Sequence, residues 1–212
     1  LYDKDGRRYG HINPKHLNLC FHRWYSDKDI QEDTQIDEHI RYKVSAQEIT
    51  RNNSVSLIDR GANGCVAGTE CNWIGGPVSP RNVSITGIDN HQLTNVPIGT
   101  VGGYSMSNRG PVICIFNEVA YTGRHKTILS SIQLEHYGNA VNDKNPTIGG
   151  KGNIETPDGY IFPLSFSSGL AYLKMRKFTP EEYQNLPHVI MTSDKEWDPT
   201  IFDTDVDPNS IT

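Results

Sequence analysis

Val55-Ser56-Leu57-Ile58-Asp59-Arg60-Gly61-Ala62-Asn63-Gly64 is the stretch on which the reading of the fold turns. The apolar run Val55 to Ile58 has the β-branched and aliphatic side chains that suit a pleated, buried strand. It ends in an acid, and Gly61 and Gly64 follow within five residues. The spacing predicts that Asp59 is carried to the end of a strand and held in a tight turn, with both glycines free to take positive φ. Rigid backbone then offers a fixed carboxylate to a ligand. A plainer reading is an ordinary strand–turn junction in which Asp59 hydrogen-bonds only its own turn.

Preceded by Leu57-Ile58, the tetrapeptide Asp59-Arg60-Gly61-Ala62 resembles the hydrophobic-hydrophobic-Asp-Ser/Thr-Gly-Ala signature of retropepsin-like aspartic proteases. Downstream, Lys126-Thr127-Ile128-Leu129-Ser130-Ser131-Ile132-Gln133-Leu134 resembles the Asn-Leu-Leu-Ser-Val-x-Gln-Leu block that follows the protease motif in copia-type retrotransposon polyproteins. Gly87-Ile88-Asp89-Asn90-His91-Gln92-Leu93, and the stretch from Asp158-Gly159-Tyr160 to Gly169-Leu170-Ala171-Tyr172-Leu173, are similar to the copia-type proteins of diatoms and other marine algae. The resemblance spans roughly residues 40 to 200. It implies a mainly β, retropepsin-like domain, closed and barrel-like, with one or two short helices. It also implies an aspartic endopeptidase that processes its own polyprotein and needs no cofactor or metal. Asp59 would be the catalytic acid, Arg60, Gly61 and Ala62 the active-site turn, and Gly87, Ile88, Asp89, Asn90 and His91 a flap over the substrate.

Aspartic proteolysis uses two carboxylates sharing one proton, because like charges at contact distance do not both ionise. Asp5-Gly6 and Asp158-Gly159 lack the hydrophobic lead-in and the following Ala. The second carboxylate is therefore expected from a second copy of the chain, in a two-fold homodimer. Arg60 stands where the family has a Ser or Thr hydroxyl that ties the two loops together. A guanidinium cannot reproduce that network, and beside the dyad it would favour two ionised carboxylates. Two outcomes stay open: Arg60 points outward to an acid and the turn is braced differently, or proteolysis is lost and the domain serves as an inactive dimerisation or structural module. A third, weaker reading is cysteine chemistry at Cys65 with His91, His125 or His136 as base.

The 212 residues suffice for one good core with a smaller annex. Hydrophobic residues make up only 35%, so polar segments beyond the core are expected. A net charge of −5 without a Lys/Arg stripe gives no nucleic-acid footprint. No run is long and apolar enough for a membrane span and no signal-peptide pattern opens the chain. It begins at Leu1, as a segment of a larger polyprotein would, and an intracellular location, cytoplasmic or within retroelement particles, is expected. The four cysteines show no disulfide or zinc spacing, and Cys20-Phe21-His22 with His11 and His16 matches no finger.

Along the chain, residues 1–39 read as a polar arm or linker, 40–138 as the retropepsin-like domain, 139–193 as a C-terminal β extension with a short helix, and 194–212 as an acidic tail. Ile40 to Val44 alternates as a half-buried strand. Val83 to Val96 reads as a hairpin with Asp89-Asn90-His91 near its tip. A second hairpin turns at Ser107-Asn108-Arg109-Gly110 into Val112-Ile113-Cys114-Ile115-Phe116, a central strand buried on both faces. Thr127 to Tyr137 reads as a helix closed by Gly138, 139–152 as loop, and Asn153–Pro163 with Leu164–Met175 as a strand pair. Thr179-Pro180-Glu181-Glu182 is a helix start, Pro187 stops that helix, and His188 to Thr192 reads as a last strand.

Overall fold

The computed structural model describes residues 54–76, 81–87 and 92–204, all within the compact unit Ser45–Thr212. The polar arm, the Ile40–Val44 strand, the Cys20/His22 group, the hairpin tip Ile88–His91 and the end of the acidic tail lie outside the described residues. The protein is mainly β. In chain order the strands are β1 (Val55–Asp59), β2 (Val66–Ala67), β3 (Asn72–Gly75), β4 (Asn82–Thr86), β5 (Gln92–Ser107), β6 (Gly110–Tyr121) and β7 (Ile128–Ser130). Helix α1 (Ser131–His136) is followed by β8 (Ala140–Asn142), β9 (Asn153–Glu155), β10 (Ile161–Ser167) and β11 (Leu170–Arg176). Helix α2 (Pro180–Asn185) and β12 (His188–Ile190) come last, with single 3-10 turns at Pro146–Ile148 and Pro199–Phe202.

The long hairpin β5–β6 pairs from Ile98↔Ala120 to Ser107↔Gly110, around the turn that the Ser107–Gly110 sequence predicts. Gly110 takes φ +100°, a conformation that costs other residues strain. Val112 to Phe116 are all buried, and β6 is flanked by β5 on one side and, in succession, by β12 and β2 on the other. β1 runs parallel to β7 and antiparallel to β11. Because β11 also pairs with β5, at Met175↔Ser105 and Arg176↔Tyr104, the path β5-β6-β2-β7-β1-β11 closes on itself. A ring of strands leaves few open edges and encloses one core. Phe116, Leu129, Leu134, Phe162, Leu173 and Met191 fill that core and are buried almost completely, each contributing about 1.5–3 kcal/mol of burial.

Three expectations are corrected. The segment Thr127–Tyr137 is not one helix: Ile128, Leu129 and Ser130 extend beside Leu57, Ile58 and Asp59, and α1 starts only at Ser131. Ser130 caps it by accepting the Gln133 N–H, and parallel pairing with β1 outweighs the helical spacing of the apolar side chains. Second, the strand boundary does not fall at Pro163. β10 runs through it, pairing with β9 as far as Pro163 and with β11 from Leu164 onward. Proline, which has no N–H to give, thus sits where the strand changes partners. Third, the 139–152 loop contains β8, which joins the β8–β9–β10 edge of the sheet; β11, in the supposed extension, is β1's direct neighbour. Helix α2 forms as the sequence predicts, with a full capping box between Thr179 and Glu182.

Candidate active site

Asp59 closes β1 opposite Ser130, the last residue of β7. Parallel pairing there brings the acid next to the N-terminus of α1, because Ser130 is also the residue that caps that helix. Asp59 Oδ1 accepts the Gly61 N–H at 2.7 Å, so the carboxylate folds back over its own turn and keeps one oxygen uncommitted by that bond. Neither Gly61 nor Gly64 takes the positive φ that the sequence suggests. Gly61 supplies room, since a Cβ there would stand 3.2 Å from Asp59 Oδ1, whereas one on Gly64 would make ordinary contact at 3.5 Å from the Trp197 indole.

The turn is held from beneath by buried polar groups. Ser130 Oγ donates to the Ala62 carbonyl at 2.6 Å. Gln133, buried in α1, accepts the Cys65 N–H at 2.8 Å and donates to the Glu118 carbonyl at 2.9 Å. Ser130 N–H points at the Cys65 sulfur at 3.2 Å. Each of these partners is more than a dozen residues from the turn, so tertiary contacts hold its shape together with its own Asp59–Gly61 bond.

Arg60 swings away from Asp59. Its Nε donates to Asp143 Oδ2 at 2.9 Å and Oδ1 at 3.0 Å, Nη2 to Glu135 Oε1 at 3.0 Å, and Nη2 also to the Val141 carbonyl at 2.8 Å. The guanidinium therefore forks between the C-terminal end of α1 and the residue after β8. The hydrogen bond to Glu135, partly opposed by desolvation and reinforced by Asp143, raises its pKa above the ordinary arginine value. Arg60 thus points to acids, the arrangement expected if the turn is braced by other groups than a Ser or Thr hydroxyl.

The predicted hairpin is present: β4 pairs with β5 from Asn82↔Pro97 to Thr86↔Gln92. Gly87 ends its first arm, exposed, and Ile88, Asp89, Asn90 and His91 are outside the described residues. At the hairpin's foot, Arg81 pairs with Glu118 and, at 2.8 Å, with Glu196.

Cys65 is sealed in the core, and burial pushes its thiol up to about 12, with the Ser130 N–H bond opposing. A thiolate nucleophile is strongly disfavoured there, which counts against the cysteine reading. Among the described residues no group of three or more His, Cys, Asp or Glu side chains is placed to hold a metal ion. No described helix is long and apolar enough to cross a membrane.

Asp59, Arg60, Gly61 and Ala62 are consecutive in the chain; around them the fold gathers Ser130, Gln133, Glu135, Asp143 and Trp197, to which the sequence assigns no role at the turn. One signal was legible: Ser130-Ser131-Ile132-Gln133 has the Ser-x-x-Gln spacing of a capped helix start. Compared with protein-family models, curated proteins and solved structures, the chain matches none.

Proposed function

We propose that the chain is a retropepsin-like aspartic endopeptidase of a retroelement polyprotein, assembled as a two-fold homodimer with one Asp59 from each copy. The observation that carries this reading is the placement of Asp59: it ends a strand of a closed ring, opposite the cap of α1, while the neighbouring guanidinium is drawn off to Glu135 and Asp143. An arginine neutralised by two acids of its own chain leaves the carboxylate pair free to share a proton. In the reaction one Asp59 stays protonated and polarises the scissile carbonyl, while its ionised mate accepts a proton from the attacking water. Gly61 and Ala62 hold the turn, and the β4–β5 hairpin, with Gly87 and the tip residues Ile88 to His91, is the flap. The substrate is a peptide segment of the same polyprotein, the location intracellular, and the chemistry uses no cofactor and does not involve nucleic acid.

A second reading is an inactive dimerisation or structural module of the polyprotein. It is favoured by one feature: Arg60 stands where the resembled signature has a Ser or Thr hydroxyl, and its guanidinium is engaged by Glu135 and Asp143. One experiment separates the two. The chain is assayed on a polyprotein-derived peptide from acidic to neutral pH, with Asp59→Asn, Cys65→Ser and a transition-state aspartic inhibitor as controls. Cleavage that falls by about 10²–10⁴-fold in Asp59→Asn alone, and that the inhibitor blocks, supports the protease. Absence of cleavage in every buffer, or cleavage that survives Asp59→Asn, overturns it.

A further inference from the structure

The C-terminal segment that reads in sequence as an acidic tail is fastened at both sides of the candidate site. Trp197 Nε1 donates to the Asn63 carbonyl at 2.8 Å, within the Asp59 turn. Its ring lies 5.5 Å from His136 of α1, and Phe202 closes on His136 edge-to-face, also at 5.5 Å. On the other side the Trp197 backbone N–H reaches Glu118 Oε2 at 3.3 Å, and that same oxygen binds Arg81, the residue before β4. Glu196 takes the second arm of the Arg81 guanidinium at 2.8 Å. Arg81 is tied in turn to β5, since its carbonyl accepts the Ile98 N–H at 3.0 Å.

Glu118 is unusual in two ways. Its side chain is only 7% exposed, so its charge needs the partners it has. Its backbone takes φ +56° inside β6, where Asn117 and Glu118 together oppose the single residue Thr100 of β5. Such bulges re-aim a side chain, and left-handed backbone at a non-glycine residue persists only where its surroundings enforce it. Here the re-aimed side chain is a point that the hairpin foot and the C-terminal segment share, beside the direct Arg81–Glu196 pair.

We infer that residues 193–204 are a strap joining the foot of the β4–β5 hairpin to the turn of Asp59, and that Glu118 and Trp197 are positioning residues for the reaction. The reaction part of this inference rests on the protease reading; the strap itself does not. The test is hydrogen–deuterium exchange on the full chain, wild type against Trp197→Ala, Trp197→Phe and Arg81→Gln, with peptide kinetics beside it. In Trp197→Ala the amides of residues 82–86, 92–98 and 59–64 should exchange about tenfold faster while those of 112–116 stay unchanged, the pattern of a local opening. Trp197→Phe keeps the ring but not the indole donor and should fall between. Because each releases one end of the same strap, Arg81→Gln and Trp197→Ala combined should be less than additive. The KM for peptide should rise more than kcat falls, since the hairpin contacts bound substrate. Exchange changes confined to 193–204, strict additivity, or a fall in kcat at constant KM would each overturn the inference. If the wild type cleaves nothing, the protease reading fails, and the exchange data still decide the strap.

Discussion

Arg60 and Arg81 each fork onto two acids on either side of the Asp59 turn, yet burial gives them different work. Arg60 is half exposed, with partners Glu135 and Asp143 that are 32% and 25% exposed. Arg81 serves Glu118, a carboxylate almost removed from water, and Glu196, which remains in it. An exposed pair contributes little to stability, because solvent screens the attraction and two long side chains must be ordered. A buried carboxylate that loses its cation retains its desolvation cost uncompensated. The same ion-pair chemistry thus fixes a direction at Arg60 and holds structure together at Arg81.

The largest expected effect tests the buried side. Arg81→Gln should lower the free energy of unfolding in urea by about 2 kcal/mol, the cost of a stranded, half-shielded charge. Adding Glu118→Gln should recover part of that loss. A loss no greater than that of Arg60→Gln would break the comparison. Next comes a third fork, Arg176 onto Glu182 at 2.6 and 2.9 Å, where the same glutamate completes the capping box of α2. Thr179→Ala should cost about 1 kcal/mol by the same measurement, placing a cap between the two clamps. Arg60→Gln should cost less than about 1 kcal/mol yet lower peptide cleavage clearly, because the Asp59 turn loses its tie to Glu135, Asp143 and the Val141 carbonyl; a large stability loss with normal cleavage would invert the assignment.

The smallest effect is one of pH. Hydrogen bonds from Arg176, then from the Thr179 N–H, pull Glu182 from 4.5 down to about 2. A carboxylate with a depressed folded-state pKa contributes stability that is complete above the unfolded value and disappears as pH falls through the folded one. The advantage of wild type over Glu182→Gln should therefore be constant above pH 4.5 and vanish near pH 2, as followed by acid unfolding. An advantage that persists below pH 2 would mean that Glu182 acts through shape and not through charge.

Local patterning made much of this legible. The β1 strand and its terminal acid, both hairpins, the buried centre of β6 and the capped start of α2 depend on neighbours in sequence, and alternation or capping chemistry reports them. What stayed hidden depends on distant partners. Ile128 and Leu129 have helical spacing until β1 offers them a parallel ladder. Arg60 gives no hint of Glu135 or Asp143, 75 and 83 residues away. Nor does an acidic, proline-bearing stretch reveal that its single tryptophan docks 134 residues upstream.

The bulge at Asn117–Glu118 also changes what one strand can do. Before it, Ile113 to Ile115 border β12; after it, Ala120 and Tyr121 border β2. The extra residue is a joint that lets a single stretch of backbone serve two different neighbours in succession. Shortening β6 by one residue there would restore an unbroken ladder with β5 and misalign one of those two seams, so this irregularity is part of how the circle of strands closes.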